Sequence, residues 1–171
     1  MNIREALKAE HSKKQSFLIR DYIGKDKKKF TTLMKLFFGP DTILSQRAAW
    51  TVFHCFENNN QIIFPYLEKM ILNLEKPVHV AVKRNTVKVL EDLEVPEELL
   101  GLAANNCFNL LANSNEGIAV RAVSMTVLYN ICKREPELKN ELRALIETEL
   151  EQPNPAKALT SRGRKILKML Q

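Results

Sequence analysis

The stretch SQRAAWTVFHCF, residues 45–56, holds the chain's single tryptophan, Trp50, within five residues of His54 and Cys55. On its own it reads as half of a catalytic or metal site. Setting it above VKRNTVKVLEDL (82–93), VRAVSMTVLYNI (120–131) and LTSRGRKILKML (159–170) gives a different answer, because the segments follow one another at offsets of 37, 38 and 39 residues. Four columns then align. The first holds Ser45, Val82, Val120 and Leu159, and the second, four residues on, holds Ala49, Thr86, Ser124 and Gly163, all of them small. The third, at plus eight, holds Phe53, Leu90, Leu128 and Leu167, and the fourth, at plus eleven, holds Phe56, Leu93, Ile131 and Leu170. This spacing is one face of an α-helix. Short side chains in the second column let a neighbouring helix approach, and large ones beside them fill its grooves.

A second periodic set lies between these helices. Ile63, Leu67, Met70, Ile71 and Leu74 correspond to Leu100, Ala104, Cys107, Phe108 and Leu111, and then to Leu138, Leu142, Leu145 and Ile146. The chain therefore alternates two helices, A and B, with short turns between them. The turns carry the right chemistry. EVPEE (94–98), REPEL (134–138) and QPNPAK (152–157) put proline where a helix begins, at the cost of no needed N–H. FGPD (38–41), ENNN (57–60) and NSNEG (113–117) read as helix stops or caps. KKKFTTLMKLFF (27–38) is the A partner of a B helix over 42–57, and the first 23 residues supply one or two further helices.

Composition agrees. Glycine is scarce, at 5 of 171 residues, which disfavours hairpin-rich β architectures. No apolar run approaches the roughly 18 residues that span a membrane, and the N-terminus lacks a signal-type apolar segment, so the expected location is cytoplasmic. Cys55, Cys107 and Cys132 are odd in number, far apart and set in apolar helical patterns, which makes them reduced core thiols. The net charge of +6 is unevenly spread: residues 1–40 and 152–171 are basic, and residues 41–151 are acidic on balance. By layer, the B segments are basic and the A segments acidic.

These A/B pairs resemble HEAT repeats, relatives of armadillo repeats. The likeness is strongest at the start of B, in Val120-Arg121 with Ser124 and Leu128 and in Val82-Lys83 with Thr86 and Leu90, and Pro65 resembles the proline that bends the A helix of that family. The resemblance implies an all-α fold, a right-handed α-solenoid whose B helices line the concave side. It also implies an N-terminal helical cap over 1–25 and about four repeats over 26–171, in a single domain. Short bacterial arrays of this type sometimes carry the label adenylosuccinate lyase. The Met-Pro-x-Lys-x-Asn loop of that superfamily is absent here, so the resemblance implies no lyase activity.

Catalytic motifs are absent: there is no glycine-rich phosphate loop, nucleophile elbow or His-Glu-x-x-His pair. His11, His54 and His79 lie too far apart for zinc spacing, and neither a metal nor a cofactor is expected. The expected function is a non-enzymatic scaffold whose basic B face holds a protein or acidic peptide. The candidate contact residues are Arg47, Trp50, His54, Arg84, Lys88, Arg121, Tyr129 and Arg162. The alternative is nucleic-acid binding, since HEAT-like folds also occur in alkylpurine DNA glycosylases. Those enzymes need a carboxylate in the basic groove, and the nearest acid on the B face is Glu91. No membrane partner is expected.

Overall fold

The computed structural model describes residues 1–171 and is all-helical. In chain order the helices are α1 (Ile3–Ala9), α2 (Lys13–Ile23), α3 (Lys27–Phe37), α4 (Thr42–Asn58), α5 (Phe64–Asn73), α6 (Val80–Asp92), α7 (Leu100–Ala112), α8 (Ile118–Cys132), α9 (Lys139–Leu150) and α10 (Lys157–Met169). Short 3₁₀ turns precede α5, α7 and α9. The architecture is an α-solenoid of HEAT-like helix pairs, with α3, α5, α7 and α9 in the A places and α4, α6, α8 and α10 in the B places. The chain forms two compact units, Met1–Val89 and Leu90–Gln171.

In the first unit, α1, α2 and α3 pack against α4. The core is built from Ile19 and Ile23 of α2, Phe30, Leu33 and Phe37 of α3, Leu44 and Val52 of α4, and Leu67 and Met70 of α5. Each large apolar side chain so buried contributes about 1.5–3 kcal/mol. The first four helices begin on side-chain caps: Asn2, Ser12, Asp26 and Asp41 each accept a backbone N–H of the following turn. Asp26 resolves an apparent misfit in the lysine-rich opening of α3. Its carboxylate accepts the N–H groups of Lys28 at 2.9 Å and Lys29 at 3.1 Å, which places negative charge where the helix dipole favours it. Gly24 ends α2 at φ +51°, a conformation that side chains rarely adopt.

In the second unit, α8 packs between α7 and α10, and α9 contacts α7, α8 and α10. Cys107 and Leu111 of α7, Val120, Val127 and Leu128 of α8, Leu142 and Ile146 of α9, and Ile166 of α10 fill its core. The small column is buried in all four B helices, at Ala49, Thr86, Ser124 and Gly163. At Gly163 the reason is visible in the geometry. A Cβ there would stand 2.9 Å from Cγ2 of Ile146 and 3.4 Å from Cδ2 of Leu150, so α9 and α10 meet at a distance only glycine permits.

Two expectations about elements are corrected. Pro65 lies in the first turn of α5 and bends nothing, because residues 60–62 are a separate 3₁₀ turn and the α-helix starts at Phe64. Leu167, in the third core column, is only half-buried, while Leu159, Ile166 and Leu170 carry the buried face of α10.

Candidate functional site

The candidate contact residues divide between the two units. In the first, Arg47, Trp50 and His54 follow one another along α4, and Arg84 and Lys88 lie on α6. Arg47 is occupied by the fold. Its Nη1 donates to the carbonyls of Leu7 at 2.7 Å and Lys8 at 2.9 Å, which satisfies two oxygens left without helical partners at the end of α1 and sets a cation at its negative pole. Lys88 is half-buried, its ammonium 5.1 Å from the centre of the Phe53 ring.

Trp50 and His54 come together with residues from α2 and from the turn before it. The Trp50 ring is half-buried, 5.6 Å edge-on from His11 and 5.5 Å from His54. His54 is buried at 7% exposure, stands 4.8 Å edge-on from Phe17, and its Nδ1 bonds the Glu57 carboxylate at 2.7 Å. Cys55 points elsewhere in the core, where burial pushes its thiol up to about 12. The stretch that opens as a candidate His/Cys pair is therefore a ring cluster on a repeat helix. No group of three or more His, Cys, Asp and Glu side chains is arranged to hold a metal ion.

Beside this cluster lies a hollow of about 250 Å³, lined by His11, Gln46, Trp50, Ala81, Arg84 and Asn85. Arg84 is exposed and has no carboxylate partner. Gln46 and Asn85 supply amides, though one N–H of the Asn85 Nδ2 already goes to the Ala81 carbonyl at 2.8 Å. The hollow thus joins an indole, an imidazole and a guanidinium that no protein acid neutralises.

In the second unit the candidates do not share an open face. Arg121 is buried at 6% exposure, its Nε donating to the Leu111 carbonyl at 2.9 Å and its Nη2 paired with the Glu149 carboxylate. Arg162 donates to Glu91 at 2.9 Å and to the Thr126 hydroxyl at 3.0 Å. Glu91, the one acid a glycosylase-like reading has to offer, is the partner of that arginine. Tyr129 is half-buried under the Lys133 ammonium, 4.7 Å from its ring centre.

A second set of side chains, which columns centred on the core undervalue, stands open on α10. Lys157, Thr160, Ser161, Arg164, Lys165 and Lys168 line one shallow depression of about 510 Å³. None of the four cations is ion-paired. Their signal in the sequence is spacing: steps of three and four residues that put all six on one side of the helix.

A model of the HEAT repeat domain matches residues 3–170, almost the whole chain. The chain belongs to the HEAT repeat family. No curated protein and no solved structure matches it. HEAT repeats generally serve as protein-interaction scaffolds, and nothing in the match names the partner of this HEAT repeat protein or the face it uses. None of its helices is long and apolar enough to cross a membrane.

Proposed function

We propose that this HEAT repeat protein is a non-catalytic scaffold holding an acidic segment of a protein partner, with the hollow of the first unit as the anchoring point. Residues 26–171 supply the four helix pairs of the array, and residues 1–25 serve as the cap at its first pair. The observation that carries the reading is Arg84, an exposed guanidinium without a carboxylate partner, beside the half-buried indole of Trp50. Tryptophan and arginine in a partly desolvated hollow are the residues on which binding energy concentrates. A planar guanidinium also holds a carboxylate through two parallel hydrogen bonds, which selects acidic side chains over neutral ones.

The test uses a displayed peptide library and the chain's only tryptophan as reporter. Selection on the wild type should enrich peptides rich in Asp and Glu, and their binding should shift Trp50 emission. Trp50→Ala, which has lost that reporter and is read by anisotropy of the labelled peptide, should weaken the best peptide about tenfold or more, as truncation of an anchoring residue does. Arg84→Glu should abolish binding. Enrichment of uncharged peptides, or equal affinity for wild type and Arg84→Glu, would refute the proposal.

A further inference from the structure

From the open face of α10 we infer a second binding site, in which Lys157, Arg164, Lys165 and Lys168, with the hydroxyl of Ser161, hold the phosphate backbone of double-stranded nucleic acid. The inference is independent of the hollow in the first unit and concerns a different class of partner.

The argument begins from the repeat register. The α8 residues that correspond to Ser161 and Arg164 are Ala122 and Met125, and both are buried. In α10 the same register carries serine and arginine, and lysine follows at 165 and 168. A further helix pair packed there as α10 packs on α8 would have to take unpaired cations out of water, which is strongly unfavourable. The face is therefore built for water or for an anion. Water alone does not explain its composition. A solvated helix face is usually of mixed sign, as in α1, where Arg4, Glu5 and Lys8 stand side by side and Lys8 pairs with Glu5 at 3.3 Å. The α10 face has four cations, no acid and no internal ion pair, so it carries its own repulsion, which an external polyanion relieves.

Geometry and composition choose among anions. At 1.5 Å per residue, Lys157, Arg164 and Lys168 span ~16 Å, a length over which one strand of a duplex presents about five phosphates. The Ser161 hydroxyl between the cations suits phosphate, to which serine donates readily, while the Thr160 hydroxyl is turned back to the Ala156 carbonyl at 3.2 Å. No aromatic side chain lies in the stripe, so unpaired bases have nothing to stack on, which favours a duplex over a single strand. A lipid surface fits poorly, because Leu159, Ile166 and Leu170 are buried in the second unit and leave no continuous apolar face to insert.

The experiment is fluorescence anisotropy of the full chain with a labelled DNA duplex of about 20 base pairs, read against salt. Four phosphate contacts give a slope near −3.6 in log affinity against log salt, so binding should fall roughly 150-fold between 50 and 200 mM. Arg164→Glu with Lys165→Glu should weaken binding at least tenfold at 50 mM salt. The control pair, Lys27→Glu with Lys28→Glu, removes the same four units from the net charge of +6 at another exposed basic run and should bind like wild type. All four substituted residues are exposed, and circular dichroism checks that both variants keep wild-type helicity. Trp50→Ala should leave duplex binding intact, which separates this site from the peptide hollow. Three results would each overturn the inference: no duplex binding at 50 mM salt, equal loss in the control pair, or α10-dependent capture of polyglutamate or phosphatidylserine vesicles in preference to duplex.

Discussion

Arg121 stands one residue past the core column of its helix, where a helical wheel puts it at the edge of the apolar face. The fold closes over it. With 7% of its side chain exposed and 12% of that of its partner Glu149, the pair is taken almost wholly out of water, and the Leu111 carbonyl accepts a hydrogen bond from Nε. Such a pair contributes little net stability against an apolar replacement, but removing one partner leaves an uncompensated buried charge. Arg121→Ala should therefore destabilise the protein by about 3–5 kcal/mol in urea unfolding, whereas Arg121→Met combined with Glu149→Leu should recover most of that loss. A double variant no better than the single one would show that the backbone contact to Leu111, and not the charge, dominates. The sequence marks Arg121 as a cation on a B helix and nothing more. What conceals it is Glu149, which lies 28 residues on, in the next A helix. Arg47 is hidden from sequence in the same way, because the carbonyls it serves lie 40 and 39 residues back, at the end of α1. For both arginines the residue type is legible, but the partner depends on long-range packing that periodicity does not encode.

The helical element is where the sequence speaks most directly. Columns at 0, 4, 8 and 11 state which side of each B helix is buried, and the first two columns are buried in all four helices. Leu93 and Leu167, in the outer columns, are only half-covered. The small column yields a sharp test at Gly163. Ala is favoured over Gly in a helix by up to about 1 kcal/mol, but its Cβ would meet a stiff β-branched methyl of Ile146 at 2.9 Å, and overpacking costs about 1–3 kcal/mol. The clash should win, so Gly163→Ala should lower the urea midpoint. Gly101, in the first turn of α7, has nothing within 4 Å of its added Cβ, and Gly101→Ala should stabilise the protein by about 0.4–1 kcal/mol and so raise the midpoint. The same substitution thus takes opposite signs on an open and on a closed helix face. Two stabilising results would mean that α9 and α10 part easily, and the small column would lose its packing rationale. Pro65 sets the limit of such reading. Proline marks a helix boundary or a kink equally well, and only the 3₁₀ turn over 60–62, which has no signature of its own in this sequence, decides for the boundary.

At the scale of the whole molecule, each compact unit holds its own buried thiol: Cys55 in the first, and Cys107 with Cys132 in the second. Burial pushes Cys55 and Cys107 up to about 12 and raises Cys132 as well, because a thiolate would have to sit in apolar surroundings. The thiolate is the reactive form, so native protein at pH 8 should resist a thiol reagent until denaturant exposes these groups. Modification of Cys55 then reports opening of the first unit and modification of Cys107 opening of the second, separable by mass spectrometry. The same shifts set a pH dependence whose sign is fixed. In the unfolded chain the thiols lose their protons near 9, while in the folded chain Cys55 and Cys107 keep theirs to about 12. Between those values the native state binds more protons than the unfolded state, so this contribution to stability is complete below pH 9 and is lost as pH rises toward 12. Each thiol should add a slope of about 1.4 kcal/mol per pH unit in that window. Cys107→Ala costs packing at every pH, so its diagnostic is not the midpoint at pH 8 but the slope above pH 9, which should fall by one thiol's share. An unchanged slope in Cys107→Ala would mean that this thiol titrates in the folded protein as it does in the unfolded one, and that the core of the second unit admits water.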